Sequence, residues 1–169
     1  MLFRGEGFFG WGYDYDVSLL PSPRDLGTPC SMILRPSGSA LPTGSTGWGV
    51  HITFAGGADT RAILGPASTS PSGPNGLGAR GATSNTGELS AICHALDWIL
   101  KRRDSLDPAI SPCNSIVSVS DYCEKLFATR AIKPVANRHI ISPINVLLDQ
   151  VKRNNSISIS WTPAHTNSR

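Results

Sequence analysis

The stretch Thr83-Ser84-Asn85-Thr86-Gly87-Glu88-Leu89-Ser90-Ala91 decides how this chain is read. Small polar residues give way here to a run with helical spacing. Leu89, Ile92, Leu96, Ile99 and Leu100 place one apolar face on a helix from about Gly87 to Arg103. Lys101-Arg102-Arg103 then sit at its negative C-terminal end. Glu88 thus stands at the mouth of an amphipathic helix. Two roles are open to it: the far member of a capping box begun by Asn85, or a carboxylate placed to hold a cation.

Upstream, Cys30–Arg35 is a short apolar run expected to form a strand, and the Gly- and Pro-containing stretch 36–44 is expected to turn. Trp48, Val50, Ile52 and Phe54 alternate with Gly49, His51 and Thr53, the period of a second strand. Gly56-Gly57-Ala58-Asp59 is a hairpin turn into a third strand, Thr60–Leu64. Gly65–Ala82 holds five Gly and three Pro, so it is expected to be an irregular insertion next to the Glu88 helix.

Downstream, the alternating strand Ser115–Ser120 closes on Asp121 and leads into a short helix, Tyr122–Ala131. Ser142-Pro143 makes a cap-plus-proline start for another helix, with Ile144, Leu147, Leu148 and Val151 as its stripe. Ile157, Ile159 and Trp161 alternate with serines as a last strand. Antiparallel strands first, then alternating helix and strand, predict an α/β mixed sheet with helices packed on it.

At 40% hydrophobic and 16% charged residues over 169 positions, the chain can bury one ordinary core. No apolar run approaches the roughly 20 residues of a membrane helix. Residues 1–29 lack a sustained period and are expected to be an extension, with Asp14 and Asp16 solvated; the domain then spans 30–169. Cys30, Cys93, Cys113 and Cys123 form no C-x-x-C pair, which argues against zinc and for reduced thiols in an intracellular, nuclear or cytoplasmic, setting. Residues 1–88 carry five Lys and Arg against six Asp and Glu, whereas residues 89–169 carry ten against six. That asymmetry fits either a solvated helical surface or a phosphate-facing side.

The order of these segments resembles the ribonuclease H family, cellular or retroelement-derived, over about residues 30–166. Thr83, Asn85, Glu88 and Leu89 match its T-x-N-x-x-E-L pattern, Ser120-Asp121 its acid-tipped fourth strand, and Pro163-Ala164-His165 its histidine loop. The resemblance implies a five-stranded mixed sheet and endonucleolytic cleavage of RNA in RNA/DNA hybrids with two Mg²⁺ or Mn²⁺ ions. Glu88 and Asp121 would then be metal ligands and His165 would assist proton transfer. Gly38, Ser39, Ser84 and Asn85 would face the nucleic acid.

Two departures accompany the resemblance. The family's first strand ends Asp-Gly-Ser, whereas this chain has Ser37-Gly38-Ser39, so a neutral hydroxyl replaces the bridging carboxylate. The family's fourth acid lies on a helix beyond the histidine loop, and the sequence ends at Arg169 without it. Impaired cleavage with weakly held ions is therefore expected. The alternatives are a non-catalytic nucleic-acid-binding or protein-docking pseudoenzyme, or a structural module.

Overall fold

The computed structural model describes residues 32–54, 60–69, 77, 81–104, 113–118, 121–127, 137–153 and 156–161. The expected extension 1–29, the expected hairpin turn 56–59 and the expected His165 loop lie outside them. Five strands, β1 (Met32–Ala40), β2 (Thr46–Phe54), β3 (Thr60–Pro66), β4 (Cys113–Ser118) and β5 (Ser156–Trp161), form one sheet in the order β3-β2-β1-β4-β5. β1, β2 and β3 pair antiparallel, while β4 runs parallel to both β1 and β5. Helices α1 (Ser84–Asp104), α2 (Asp121–Phe127) and α3 (Arg138–Lys152) complete the fold. The expected mixed sheet, with three antiparallel strands first, is present.

Period-2 alternation sorts the sheet's faces. Leu34, Trp48, Val50, Ile52 and Ile116 are buried, whereas Arg35, Ser37, His51, Ser158 and Ser160 are exposed. Each fully buried Leu or Ile contributes about 1.5–3 kcal/mol, so this face and the helices on it hold the domain together.

β1 is longer than the apolar run predicts. It continues through Pro36-Ser37-Gly38-Ser39-Ala40, and the turn is confined to Leu41–Ser45, where Gly44 takes a φ of 85°. Pairing with β2 carries the strand on, from Pro36 opposite Val50 to Ala40 opposite Thr46. Proline is tolerated because β4 accompanies β1 only from Met32 to Leu34, so Pro36 lies where one edge of β1 is already free of the ladder. Likewise β3 takes in Gly65 and Pro66, and Leu77, also within the expected insertion, is buried in the core. The remainder of that insertion, 70–76 and 78–80, is outside the described residues.

α1 differs from the expected one-sided helix. Every residue from Thr86 to Ile99 is buried, because α1 packs on β1 and β2 on one side and against α3 on another. Ala91, Cys93, Ala95 and Trp98 fill the faces that the Leu/Ile stripe leaves over. α3 begins at Arg138, a turn earlier than Ser142-Pro143 predicts, so Pro143 lies inside it. Asn137 precedes it in a left-handed conformation (φ 59°), and its carbonyl accepts from the Ile140 and Ile141 N–H groups. Burial of Ile140 and Ile141 offsets the one helical hydrogen bond that the proline cannot make.

Candidate active site

The start of α1 is built by threonines. The Thr83 hydroxyl accepts from the Thr86 N–H at 3.1 Å, the Thr83 carbonyl accepts from the Gly87 N–H, and the Thr86 hydroxyl donates to the Gly81 carbonyl at 2.7 Å. Thr83 is therefore the cap. Glu88 is the fifth residue of the helix rather than its third, which removes the capping-box role that its spacing from Asn85 allows.

Glu88 points inward instead. It is 8% exposed; the Gly38 N–H donates to its carboxylate, and its Oε2 is buried with no hydrogen-bond partner among the described residues. Burial raises its pKa above the ordinary carboxylate range, and the Gly38 hydrogen bond opposes that rise. An unpartnered buried carboxylate oxygen costs about 1–3 kcal/mol unless something compensates it.

Two glycines bring this carboxylate to the strand. A Cβ on Gly38 would collide with the backbone of Gly87 and Glu88. A Cβ on Gly87 would lie 2.7 Å from the Gly47 carbonyl oxygen and 2.9 Å from the Gly38 Cα. Helix and strand thus meet backbone to backbone. The sequence reading missed Gly87, although an isolated glycine inside a helical pattern signals a packing constraint of this kind.

The chain leaves β1 toward β2 and returns through β4 on β1's other side, so the β1/β4 junction is the sheet's switch point. In open α/β sheets, ligands bind in the crevice outside the strands' carboxyl ends at such a point. Ser37 and Gly38 lie on the carboxyl-terminal half of β1, and Glu88 lies against Gly38. β4 ends at Ser118, and α2 opens at Asp121 just beyond. The backbone therefore brings the positions of Ser37, Gly38, Glu88 and Asp121 to one end of the sheet. The side chain of Asp121 is outside the described residues. Ser37, Ser39, Ser84 and Asn85 are exposed around this corner.

Among the described residues the donor set is short of charge for two divalent ions. Glu88 suits a cation, since its buried Oε2 has no hydrogen-bond partner among the described residues. Ser37 is neutral, and among the described residues no group of three His, Cys, Asp or Glu side chains converges. The described side chains do not by themselves make up the two-ion cage that the resemblance implies.

Six residues along α1 a second buried titratable group is fully accommodated. His94 stacks on Trp48 with ring centroids 3.8 Å apart and planes 17° from parallel. The Trp48 indole N–H donates to the Pro66 carbonyl at 3.2 Å, and Gly65 lies beneath the indole. Burial, with Lys101 adding to it, lowers the His94 pKa to about 3, so the ring is neutral at physiological pH. Asp97 pairs with Lys101 at 2.9 Å one turn further on.

No protein-family model and no curated protein matches the sequence. Solved structures do match the fold. The N-terminal RNase H domain of Rv2228c from Mycobacterium tuberculosis is 14% identical, with a TM-score of 0.56 over 82% of this chain and 86% of that one. RNase H1 from the archaeon Halobacterium salinarum is 15% identical, with a TM-score of 0.57 over 82% of this chain and 90% of that one. LC11-RNase H1, solved in complex with an RNA/DNA hybrid, is 16% identical, with a TM-score of 0.57 over 82% and 89%. With strand order β3-β2-β1-β4-β5, parallel β1 and β4, and an acid-bearing helix at their junction, this chain has the ribonuclease H fold.

Proposed function

We propose that this chain is a nucleic-acid-binding domain of ribonuclease H type whose ancestral activity is endonucleolytic cleavage of RNA in RNA/DNA hybrids, and that cleavage is weak in the chain as it stands. The observation that carries this reading is the Ser37-Gly38-Glu88 corner. A buried carboxylate is held against Gly38 at the sheet's switch point, with a neutral serine where the resemblance expects a bridging acid. Glu88 would supply one anion there, and Asp121, the first residue of α2, would by resemblance supply another. Exposed Ser37, Ser39, Ser84 and Asn85 offer hydroxyl and amide groups suited to phosphate oxygens and 2′-hydroxyls. His165, by resemblance, would assist proton transfer from its loop. The fold's likeness to LC11-RNase H1, which was solved with a hybrid, supports this choice of ligand.

A specific observation also favours a second reading, a non-catalytic nucleic-acid-binding module. Ser37 and the lack of a converging acid cluster among the described residues leave the cage undercharged. Hybrid binding and cleavage in Mg²⁺ and in Mn²⁺ separate the two. The assay compares the unmodified chain, Ser37→Asp, Ser37→Asp with an appended acid-bearing C-terminal helix, and that last protein with Glu88→Gln. The unmodified chain is expected to bind hybrid and cleave it barely. Cleavage should appear once the acids are restored and vanish with Glu88→Gln, because an amide keeps the shape and removes the anion. Robust cleavage by the unmodified chain would overturn the role given to Ser37. Absence of cleavage in the restored protein with hybrid binding kept would favour the binding module, and absence of both a structural module.

A further inference from the structure

We infer that Gly87 is a positioning residue for Glu88: by carrying no side chain it lets α1 approach β1 closely enough for the Gly38 N–H to hold the Glu88 carboxylate. The inference rests on Glu88 being the working acid of the proposed site, but its geometry stands apart from any reaction. A Cβ at position 87 would lie 2.7 Å from the Gly47 carbonyl oxygen, 2.9 Å from the Gly38 Cα and 3.0 Å from the Ser39 nitrogen. All three are backbone atoms of paired strands, so none can swing aside, and the helix must retreat instead. Position 87 immediately precedes Glu88, so a retreat there moves the carboxylate away from Gly38.

The sheet explains why the Gly38 N–H is free to donate. In an antiparallel ladder, the residues of a strand alternately direct their N–H groups toward the partner and away from it. Among the described residues β1's other neighbour, β4, pairs with it only as far as Leu34, so beyond that point no described strand receives this edge's backbone donors. The Glu88 carboxylate accepts one of these. Gly87 and Gly38 therefore have separate tasks. Gly38 donates and admits the helix; Gly87 sets the distance.

The test reads the Gly38 amide by ¹H–¹⁵N NMR, without nucleic acid or metal, in the unmodified chain, Glu88→Gln, Gly87→Ala and Ile92→Val. Ile92→Val is a core control that loosens α1 without touching Gly38. In the unmodified chain the Gly38 proton should resonate downfield, and Glu88→Gln should move it upfield. Gly87→Ala should move it in the same direction and speed its solvent exchange about tenfold, the loss of one hydrogen bond to a charged group. Ile92→Val should leave the resonance where it is. Should Gly87→Ala not fold, Glu88→Asp carries the same test: across a gap fixed by Gly87 the shorter arm should lose the contact and shift the Gly38 proton upfield. An unmoved Gly38 proton in folded Gly87→Ala, or in Glu88→Asp, overturns the inference, as does an equal shift in Ile92→Val. The proposed cleavage chemistry can fail in its own assay while this positioning holds.

Discussion

Glu88 and His94 lie six residues apart on the same buried helix; Glu88 meets Gly38 of β1, and His94 stacks on Trp48 of β2. Their surroundings differ in kind. The His94 ring is stacked on Trp48, Trp48 is tied to the Pro66 carbonyl, and the group is neutral. Glu88 receives one backbone N–H and keeps an oxygen with no hydrogen-bond partner among the described residues. The first corner is compensated within the protein, while the second leaves a buried carboxylate oxygen with no hydrogen-bond partner among the described residues. The lesson is that burial alone does not mark a site; burial left uncompensated does.

The sharpest way to break the comparison is to deny the Glu88 corner its close approach. Gly38→Ala pushes a methyl into the backbone of Gly87 and Glu88, and it is expected to destabilise the domain by about 4 kcal/mol or more in urea unfolding. A loss under about 1 kcal/mol would mean that helix and strand separate easily and that the contact constrains nothing. At the compensated corner, Trp48→Ala removes the stack, the indole hydrogen bond and the cover over Gly65. The same unfolding measurement should show a loss of about 3 kcal/mol.

Much of this was legible in the residues. Alternation in Trp48, Val50 and Ile52 and in Ile157 and Ile159 fixes two strands, and the segment order gives the topology. The site was legible as far as Glu88 and Asp121 marking one end of the sheet, since each ends or begins an element whose period is clear. Three features were hidden because they depend on partners remote in sequence. β1 runs through Pro36 only because β2 pairs with it, α1 is buried all round only because α3 covers it, and α3 starts early because Ile140 and Ile141 find the core. Gly87 carried a visible signal, a glycine within a helix, but its meaning needs the strand it touches.

The two corners should also respond to pH with opposite signs. An unfolded chain protonates His94 near the ordinary histidine value of 6.5, whereas the native chain resists until about 3. Stability from this group is present above pH 6.5 and is lost as pH falls toward 3. At pH 5 the loss is about 2 kcal/mol. His94→Phe keeps a ring on Trp48 and removes the titration, so its stability should fall less steeply between pH 6.5 and 4. An unchanged acid slope would show that His94 is not the group responsible.

Glu88 gives the smallest expected effect and the most direct test. Its native pKa is raised above 4.5, so its contribution is most favourable below that value and is lost as pH rises through the native pKa. Urea unfolding of the unmodified chain and Glu88→Gln, in metal-free buffer from pH 4 to pH 8, measures this difference. Glu88→Gln should be the more stable protein at pH 7 by about 1–2 kcal/mol, because it removes an uncompensated buried charge. The advantage should disappear below pH 4.5. A Glu88→Gln protein that is less stable at pH 7 would contradict the account, for Glu88 would then be a compensated structural group like His94 and not a carboxylate held ready for a ligand.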